Sequence, residues 1–270
     1  DWLRNSKWDP QKENIILIHG YAGNDESLPT VVLRDAYLTH GGYNVFMANW
    51  GALAQPPCYV AAVHNLRTVG KCLAEAFTFL RNSGLRVHKT TCVGHSLGAH
   101  VCGLMSNYLS FRAERIIGLD PARPLVKPGN SNRLDSGDAK AVHVIHTNAG
   151  HYGEGGKVGH VDFCVNGGKK QPYCGNTSNA NLCSHIWSIC YLAQSIFVEN
   201  QPHAEPCSRR CPSGLRRVRS LARFIVRNAI PMGQHTPMNA IGSYCLKDDT
   251  PPFCPTSPDS TGDKRCCLQF

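Results

Sequence analysis

No stretch of this 270-residue chain approaches the ~20 consecutive apolar residues of a membrane-spanning helix. That leaves a fold that buries its own core, and the length is ample for one. There is no internal repeat, which excludes a solenoid or propeller. No Pro/Gly-rich linker divides the sequence, so a single domain over 1–270 is expected. Zinc-site spacing is missing as well. Among 14 cysteines there is no Cys-x-x-Cys pair, and Cys207 and Cys211 have no His or Cys pair placed to complete a site. Acidic residues are few, 19 Asp+Glu against 28 Lys+Arg, giving a net charge of +9. Such a balance suits an anionic partner: a phospholipid surface, a polysaccharide or nucleic acid. The chain opens at Asp1-Trp2-Leu3 with neither methionine nor a hydrophobic leader, which reads as a processed mature form.

An even, high cysteine count without metal spacing points to an oxidising, secretory compartment and to six or seven disulfides. Asn176-Thr177-Ser178 is a glycosylation acceptor that fits secretion. The apolar run Ile15-Ile16-Leu17-Ile18 within Asn14–His19 predicts a buried central strand. A short helix from Pro29 to Thr39 and a strand from Tyr43 to Trp50 follow. The next helix is long, Tyr59 to Leu80, with Val60, Val63, Leu66, Val69, Leu73, Ala76 and Leu80 as its core-facing stripe. Further strands are expected over Val87–Val93, Arg115–Leu119 and Ala141–Thr147, and helices over Leu97–Leu109 and Cys183–Phe197. Asn148–Gly159, with five glycines, and the polar Gly167–Leu182 read as loops. Alternating strands and helices of these lengths imply an α/β fold, a mostly parallel sheet with helices on both faces.

Between a predicted strand and a predicted helix lies Gly94-His95-Ser96-Leu97-Gly98. Glycines on either side let strand and helix meet in a sharp turn that exposes the serine at the sheet edge, the arrangement of a nucleophile elbow. A serine nucleophile needs a base, and the base an orienting acid. In hydrolases of this build the chain order is Ser, then Asp or Glu, then His. Asp120, directly after a buried strand and before Pro121, takes the acid's place. For the base, His185 stands at the start of an apolar-striped helix. His151, His160, His203 and His235 have position alone in their favour, while His143 and His146 fall inside a strand pattern and read as structural. The oxyanion donors would be the N–H of Leu97 and that of Tyr21, in the loop His19-Gly20-Tyr21 after the first strand. His19 reads as a structural hydrogen-bonding residue.

Taken together, Ile18-His19-Gly20-Tyr21, Gly94-His95-Ser96-Leu97-Gly98-Ala99-His100, Gly118-Leu119-Asp120-Pro121-Ala122, Val144-Ile145-His146-Thr147 and Cys183-Ser184-His185 resemble the pancreatic lipase family, in that family's order. The resemblance runs from Asn14 to Phe197. It implies an α/β-hydrolase fold, Ser96 as nucleophile, Asp120 as acid, His185 as base, and Tyr21 and Leu97 as oxyanion donors. It also implies a disulfide-closed lid from Cys174 to Cys183. The eight residues inside it include one large apolar side chain, Leu182, too little for an amphipathic cap over an apolar cleft. The short lid and the short neighbouring loop resemble the arthropod venom and secretory phospholipases A1. The expected activity is therefore that of a secreted phospholipase A1 cleaving the sn-1 acyl ester. The alternatives are a triacylglycerol or galactolipid lipase on the same machinery, and a non-enzymatic lipid-binding or toxin-like secreted module. No carboxy-terminal β-sandwich of the kind the digestive lipases carry is expected. A calcium loop is implied at Asn130–Asp138, with Asp135 and Asp138 carboxylates and Asn130 and Arg133 carbonyls as ligands to a structural ion; the reaction itself requires no cofactor. The expected partner is a phospholipid membrane or micelle rather than nucleic acid, met by a monomer.

One element has no counterpart in that resemblance. Over Gly214–Asn228, apolar residues line one face while Arg216, Arg217, Arg219, Arg223 and Arg227 occupy the rest. Such a basic amphipathic helix either lies on an anionic bilayer or packs its apolar face on the core.

Overall fold

A computed structural model of the chain describes residues 2–127, 129, 131–207, 211 and 229–249. After a short helix α1 (Trp2–Asn5), strands β1 (Glu13–Ile18), β2 (Tyr43–Ala48), β3 (Thr90–His95), β4 (Ala113–Leu119), β5 (Ala139–His146) and β6 (Val161–Val165) form the sheet. Helices α2 (Leu28–His40), α3 (Tyr59–Asn82), α4 (Leu97–Ser106) and α5 (Ala180–Ser195) cover it. Strands β7 (His203–Pro206), β8 (Ile230–Pro231) and β9 (Gly242–Leu246) complete nine strands in the order β2-β1-β3-β4-β5-β6-β9-β7-β8. Pairing is parallel from β2 through β9, and β7 runs antiparallel to its neighbours.

The α/β architecture follows from strands that are apolar on both faces. In β1, Ile16 and Ile18 join the core under α3 and α4, while Ile15 and Leu17 join the core under α2 and α5. The alternation repeats in β4, where Ile116 faces one layer and Ile117 and Leu119 the other. A strand buried on both sides has no polar face to show, which is why its sequence reads as an unbroken apolar run.

Several boundaries and faces differ from the sequence reading. Val87–Lys89 form a 3-10 turn, and the strand begins only at Thr90, where pairing with Asn14 of β1 starts. Helix α5 begins at Ala180 rather than Cys183, because the Asn179 side chain accepts a hydrogen bond from the Leu182 N–H and caps it. The buried stripe of α3 is Ala62, Leu66, Val69, Gly70, Ala74 and Phe77, with Val60 and Ala76 exposed. Gly70 sets that rotation. A Cβ there would lie 3.0 Å from the Leu104 side chain of α4, so the two helices meet closely at this point. Strands β6, β7, β8 and β9 lie in sequence for which no strand is predicted.

Disulfides join Cys92–Cys102, Cys164–Cys211, Cys174–Cys183 and Cys207–Cys245. The first ties β3 to α4 across the turn between them. Cys58 and Cys72 are free and exposed. Twelve cysteines remain, so seven disulfides are excluded and six is the ceiling. Among the described residues no helix is long and apolar enough to cross a membrane. The basic segment Gly214–Asn228, with its five arginines, lies outside the described residues.

Candidate active site

The carboxyl ends of β1, β3, β4 and β5 converge on one edge of the sheet, where α/β proteins gather their functional groups. The β3-to-α4 turn is tight enough to demand its glycines. A Cβ on Gly94 would sit 2.3 Å from the Gly98 carbonyl oxygen, and one on Gly98 would sit 2.3 Å from the Ile18 carbonyl oxygen. At the apex Ser96 takes φ 57°, ψ −121°, a left-handed conformation that L side chains rarely adopt. Its N–H is held by the Leu119 carbonyl at 2.9 Å, and its carbonyl accepts from Ala122. Leu97 follows as the first residue of α4, so its N–H has no acceptor within the helix.

Asp120 is fully buried at the end of β4. One carboxylate oxygen accepts the Thr147 and Asn148 N–H groups at 2.8 and 3.0 Å, and the other lies 2.5 Å from His185 Nδ1. With its proton on Nδ1, His185 presents an unprotonated Nε2 as an acceptor. The helix start three residues upstream of Cys183 places His185 in the second turn of α5, on a rigid element rather than in a loop. The sequence reading missed the two amides that hold Asp120, as well as Gly153. The segment Tyr152–Glu154 is clipped to 121–123 by Arg123 N–H to Tyr152 O and Glu154 N–H to Pro121 O, both 2.8 Å. In that position a Cβ on Gly153 would lie 2.4 Å from both Asp120 oxygens. A glycine facing an acid in a glycine-rich loop was the available signal.

The upstream turn is pinned by His19. Trp50 donates its N–H to His19 Nε2 at 3.1 Å, which puts the ring proton on Nδ1, where it donates to the Gly20 carbonyl at 2.8 Å. Burial pushes the His19 pKa down, so the ring stays neutral as this pattern requires. Gly20 packs against the elbow, since a Cβ there would lie 2.8 Å from Ser96 Cβ. His95 lies against His185, with ring centroids 4.7 Å apart and planes tilted by 47°, and donates from Nε2 to the His185 carbonyl. Desolvation, and next the His185 charge, hold its pKa well below the usual histidine range. Behind Asp120, the buried His146 bonds Asp162 at 3.0 Å and the Glu154 carbonyl at 3.0 Å.

A cavity of about 590 Å³ opens at this edge, with Tyr21, Ser96, Tyr152, Leu182, His185 and Ile189 among its walls. Ser96, His185 and the Tyr21 turn thus share one cleft, and Asp120 lies directly behind it. The loop between Cys174 and Cys183 is short, and its Leu182 reaches the cleft wall. Asn176 is exposed within that loop.

The implied calcium ligands lie elsewhere, against α4. Asp138 Oδ2 accepts the Asp135 N–H at 2.8 Å, and Asp135 Oδ2 is buried with no hydrogen-bond partner among the described residues. An orphaned carboxylate oxygen beside a second carboxylate fits a hard cation. The Arg133 side chain pairs with Glu154 at 3.5 Å, leaving only its backbone for such a role, and Asn130 lies outside the described residues.

The family model described as Lipase matches residues 1–211. The chain belongs to the lipase family. This is the pancreatic lipase group to which the elbow and its companion motifs pointed. It is 32% identical over 194 residues to phospholipase A1 member A of Rattus norvegicus, covering 69% of this chain and 42% of that protein. To Phospholipase A1 VesT1.02 of Vespa tropica it is 32% identical over 210 residues, covering 70% of this chain and 69% of that one. To pancreatic lipase-related protein 2 of Sus scrofa it is 30% identical over 234 residues, or 77% and 49%. The chain therefore spans less than half the length of the rat and pig relatives.

Proposed function

We propose that this lipase-family chain is a secreted serine ester hydrolase that cleaves the sn-1 acyl ester of glycerophospholipids. The observation that carries the reading is the 2.5 Å contact between His185 Nδ1 and the buried Asp120, in the cleft that also holds Ser96. His185 Nε2 takes the Ser96 proton as Oγ attacks the ester carbonyl, and the Tyr21 and Leu97 N–H groups receive the negative oxygen. The glycerol oxygen leaves with the proton from His185. Water then attacks the acyl-Ser96 ester by the same route in reverse. Asp120 keeps the imidazole oriented and stabilises its charged form, and a neutral His95 at its side adds no second positive charge.

Preference for phospholipid over triglyceride rests on the short Cys174–Cys183 loop, which supplies a single apolar side chain over the cleft and so leaves room for a polar headgroup. Relatives named phospholipase A1 support the same choice. The four disulfides between described residues support an extracellular setting. Asp135 and Asp138 would hold a calcium ion that stiffens their loop and takes no part in ester chemistry. The decisive experiment is mass spectrometry of products from phosphatidylcholine labelled differently at sn-1 and sn-2, with trioleoylglycerol alongside. Release of the sn-1 acid is expected. Equal release from both positions, or faster turnover of trioleoylglycerol, would overturn the phospholipase A1 assignment.

The glycine behind the acid offers a finer test. Gly153→Ala drives a methyl group into the Asp120 carboxylate, and a displacement of about 1 Å at such a group lowers turnover by about 10²-fold. The expected outcome is that loss in kcat for a soluble short-chain ester, with KM held. Gly156→Ala, where a Cβ would meet nothing within 4 Å, serves as the silent control.

A further inference from the structure

A second cavity, of about 480 Å³, lies between α3 and the chain that follows Asp120. That volume is within the ~300–1,000 Å³ of small-molecule sites. Its apolar walls include Val63, Leu104 and Val126. Its rim is basic: His64, Arg67 and Lys127 are exposed there, and no carboxylate is among the described lining residues. Arg67 is steered toward the rim by a hydrogen bond to Asn132 at 2.5 Å, a neutral partner, and it makes no ion pair among the described residues.

At the mouth stand two large apolar side chains that the core does not take up, Val60 at 57% exposure and Leu125 at 60%. Leu125 has φ 60°, an uncommon conformation for a bulky L residue, and such conformations concentrate at ligand clamps. An apolar trough with exposed apolar lips and a basic rim is complementary to one kind of molecule, a single long chain ending in an anion.

We propose that this cavity binds a long-chain carboxylate, the alkyl chain in the trough and the carboxylate between Arg67 and Lys127. Its position adds a purpose. Tyr59 and Pro124 line the catalytic cleft, while their chain neighbours Val60 and Leu125 line the second cavity. The partition at that point is one hydrogen bond, Tyr59 Oη–H to the Pro124 carbonyl at 3.0 Å. A fatty acid released at Ser96 would therefore find an acceptor site next door. That role rests on the proposed hydrolase activity; binding itself does not.

The test is calorimetric titration of the whole chain with dodecanoate, with dodecan-1-ol and butanoate as probes lacking the charge and the chain. Dodecanoate is expected to bind more tightly than either. Arg67→Gln/Lys127→Gln, which alters exposed side chains only, should weaken dodecanoate about fivefold and leave dodecan-1-ol unchanged. Val63→Trp should remove the site by filling it. Hydrolysis of a soluble short-chain ester is measured on every variant and is expected to stay at the wild-type rate. Should dodecanoate affinity and stoichiometry be the same in the wild type and the double variant, all binding occurs in the catalytic cleft and the proposal fails. A chain without esterase activity that still loses dodecanoate in the double variant would overturn the hydrolase reading and leave this site standing.

Discussion

Alanine at position 96 is expected to lower ester hydrolysis by about 10⁴–10⁶-fold and to leave the fold unchanged, because loss of a nucleophile removes the covalent route outright. The residual rate would come from the Tyr21 and Leu97 amides and from the cleft's hold on the ester. Structural retention follows from what the rest of the turn requires. The contacts that shape the elbow are made by the backbone of Ser96 and by its Cβ against Gly20, and alanine keeps both. The disulfide Cys92–Cys102 braces the flanking strand and helix independently of the hydroxyl. Initial rates on phosphatidylcholine and on a soluble ester, with a thermal melt of the same preparation, decide it. A fall of less than tenfold with an unchanged melt would remove Ser96 from the mechanism. Asp120→Asn should come close in size, about 10⁴-fold, because an amide that donates where the carboxylate accepted leaves His185 in the wrong tautomer.

Those residues are legible in the sequence because each announces itself locally. The elbow needs glycine on both sides of the serine for steric reasons that operate within five residues. The central strand Ile15–Ile18 is apolar on every side chain because helices cover both faces. Asp120 stands where a buried strand meets a proline. What stays hidden depends on partners far away along the chain. Strand β6 carries Asp162 at its second position and looks too polar to bury, yet Asp162 is matched by His146 and by the Val158 N–H. Strand β9 has a weak pattern, Gly242-Ser243-Tyr244-Cys245-Leu246, and is held through Cys207 from another loop. The even cysteine count conceals a geometric bar. Cys58 and Cys72 lie about 20 Å apart along the axis of α3, far beyond the reach of a disulfide. Asn179 is legible as a helix cap. Taking Cys183 for the helix start instead puts His185 at a loop edge rather than in the second turn.

Acid is expected to destabilise this protein from about pH 6.5 downward, because buried histidines are held neutral by the fold. His95 and His19 act in this direction, and His100 and His143 show the effect in detail. The ring of His100 accepts the Leu134 N–H on Nδ1 at 3.1 Å and donates from Nε2 to the Ala122 carbonyl at 2.6 Å, so both nitrogens are committed in the neutral form. Burial pushes its pKa down to about 4. His143 is buried in β5 with neither ring nitrogen partnered among the described residues, and burial, reinforced by the Arg115 charge, pushes it down to about 3. Both folded-state values lie below the unfolded value of 6.5. The unfolded chain therefore takes up protons that the folded chain refuses, and stability is intact above pH 6.5 and lost as pH falls toward 4 and 3. At ~1.4 kcal/mol per pH unit for each group, the two together cost about 7 kcal/mol by pH 4, against a total stability of ~5–15 kcal/mol. His146 works in the other direction. Burial lowers its pKa, but the hydrogen bond and charge of Asp162 outweigh burial and raise it, so its contribution is kept in acid and lost as pH rises. Urea unfolding of wild type and His143→Leu at pH 7.5, 5.5 and 4.5 separates these contributions. The variant should gain about 1–3 kcal/mol at pH 7.5, where an unpaired buried ring has been removed. Its advantage should then widen by roughly 3 kcal/mol by pH 4.5, because only the wild type still carries the His143 proton penalty. Curves that fall in parallel would mean that His143 gains its proton as readily in the fold as out of it, and the acid sensitivity would then belong to His100 and the other buried neutral histidines, His95 and His19.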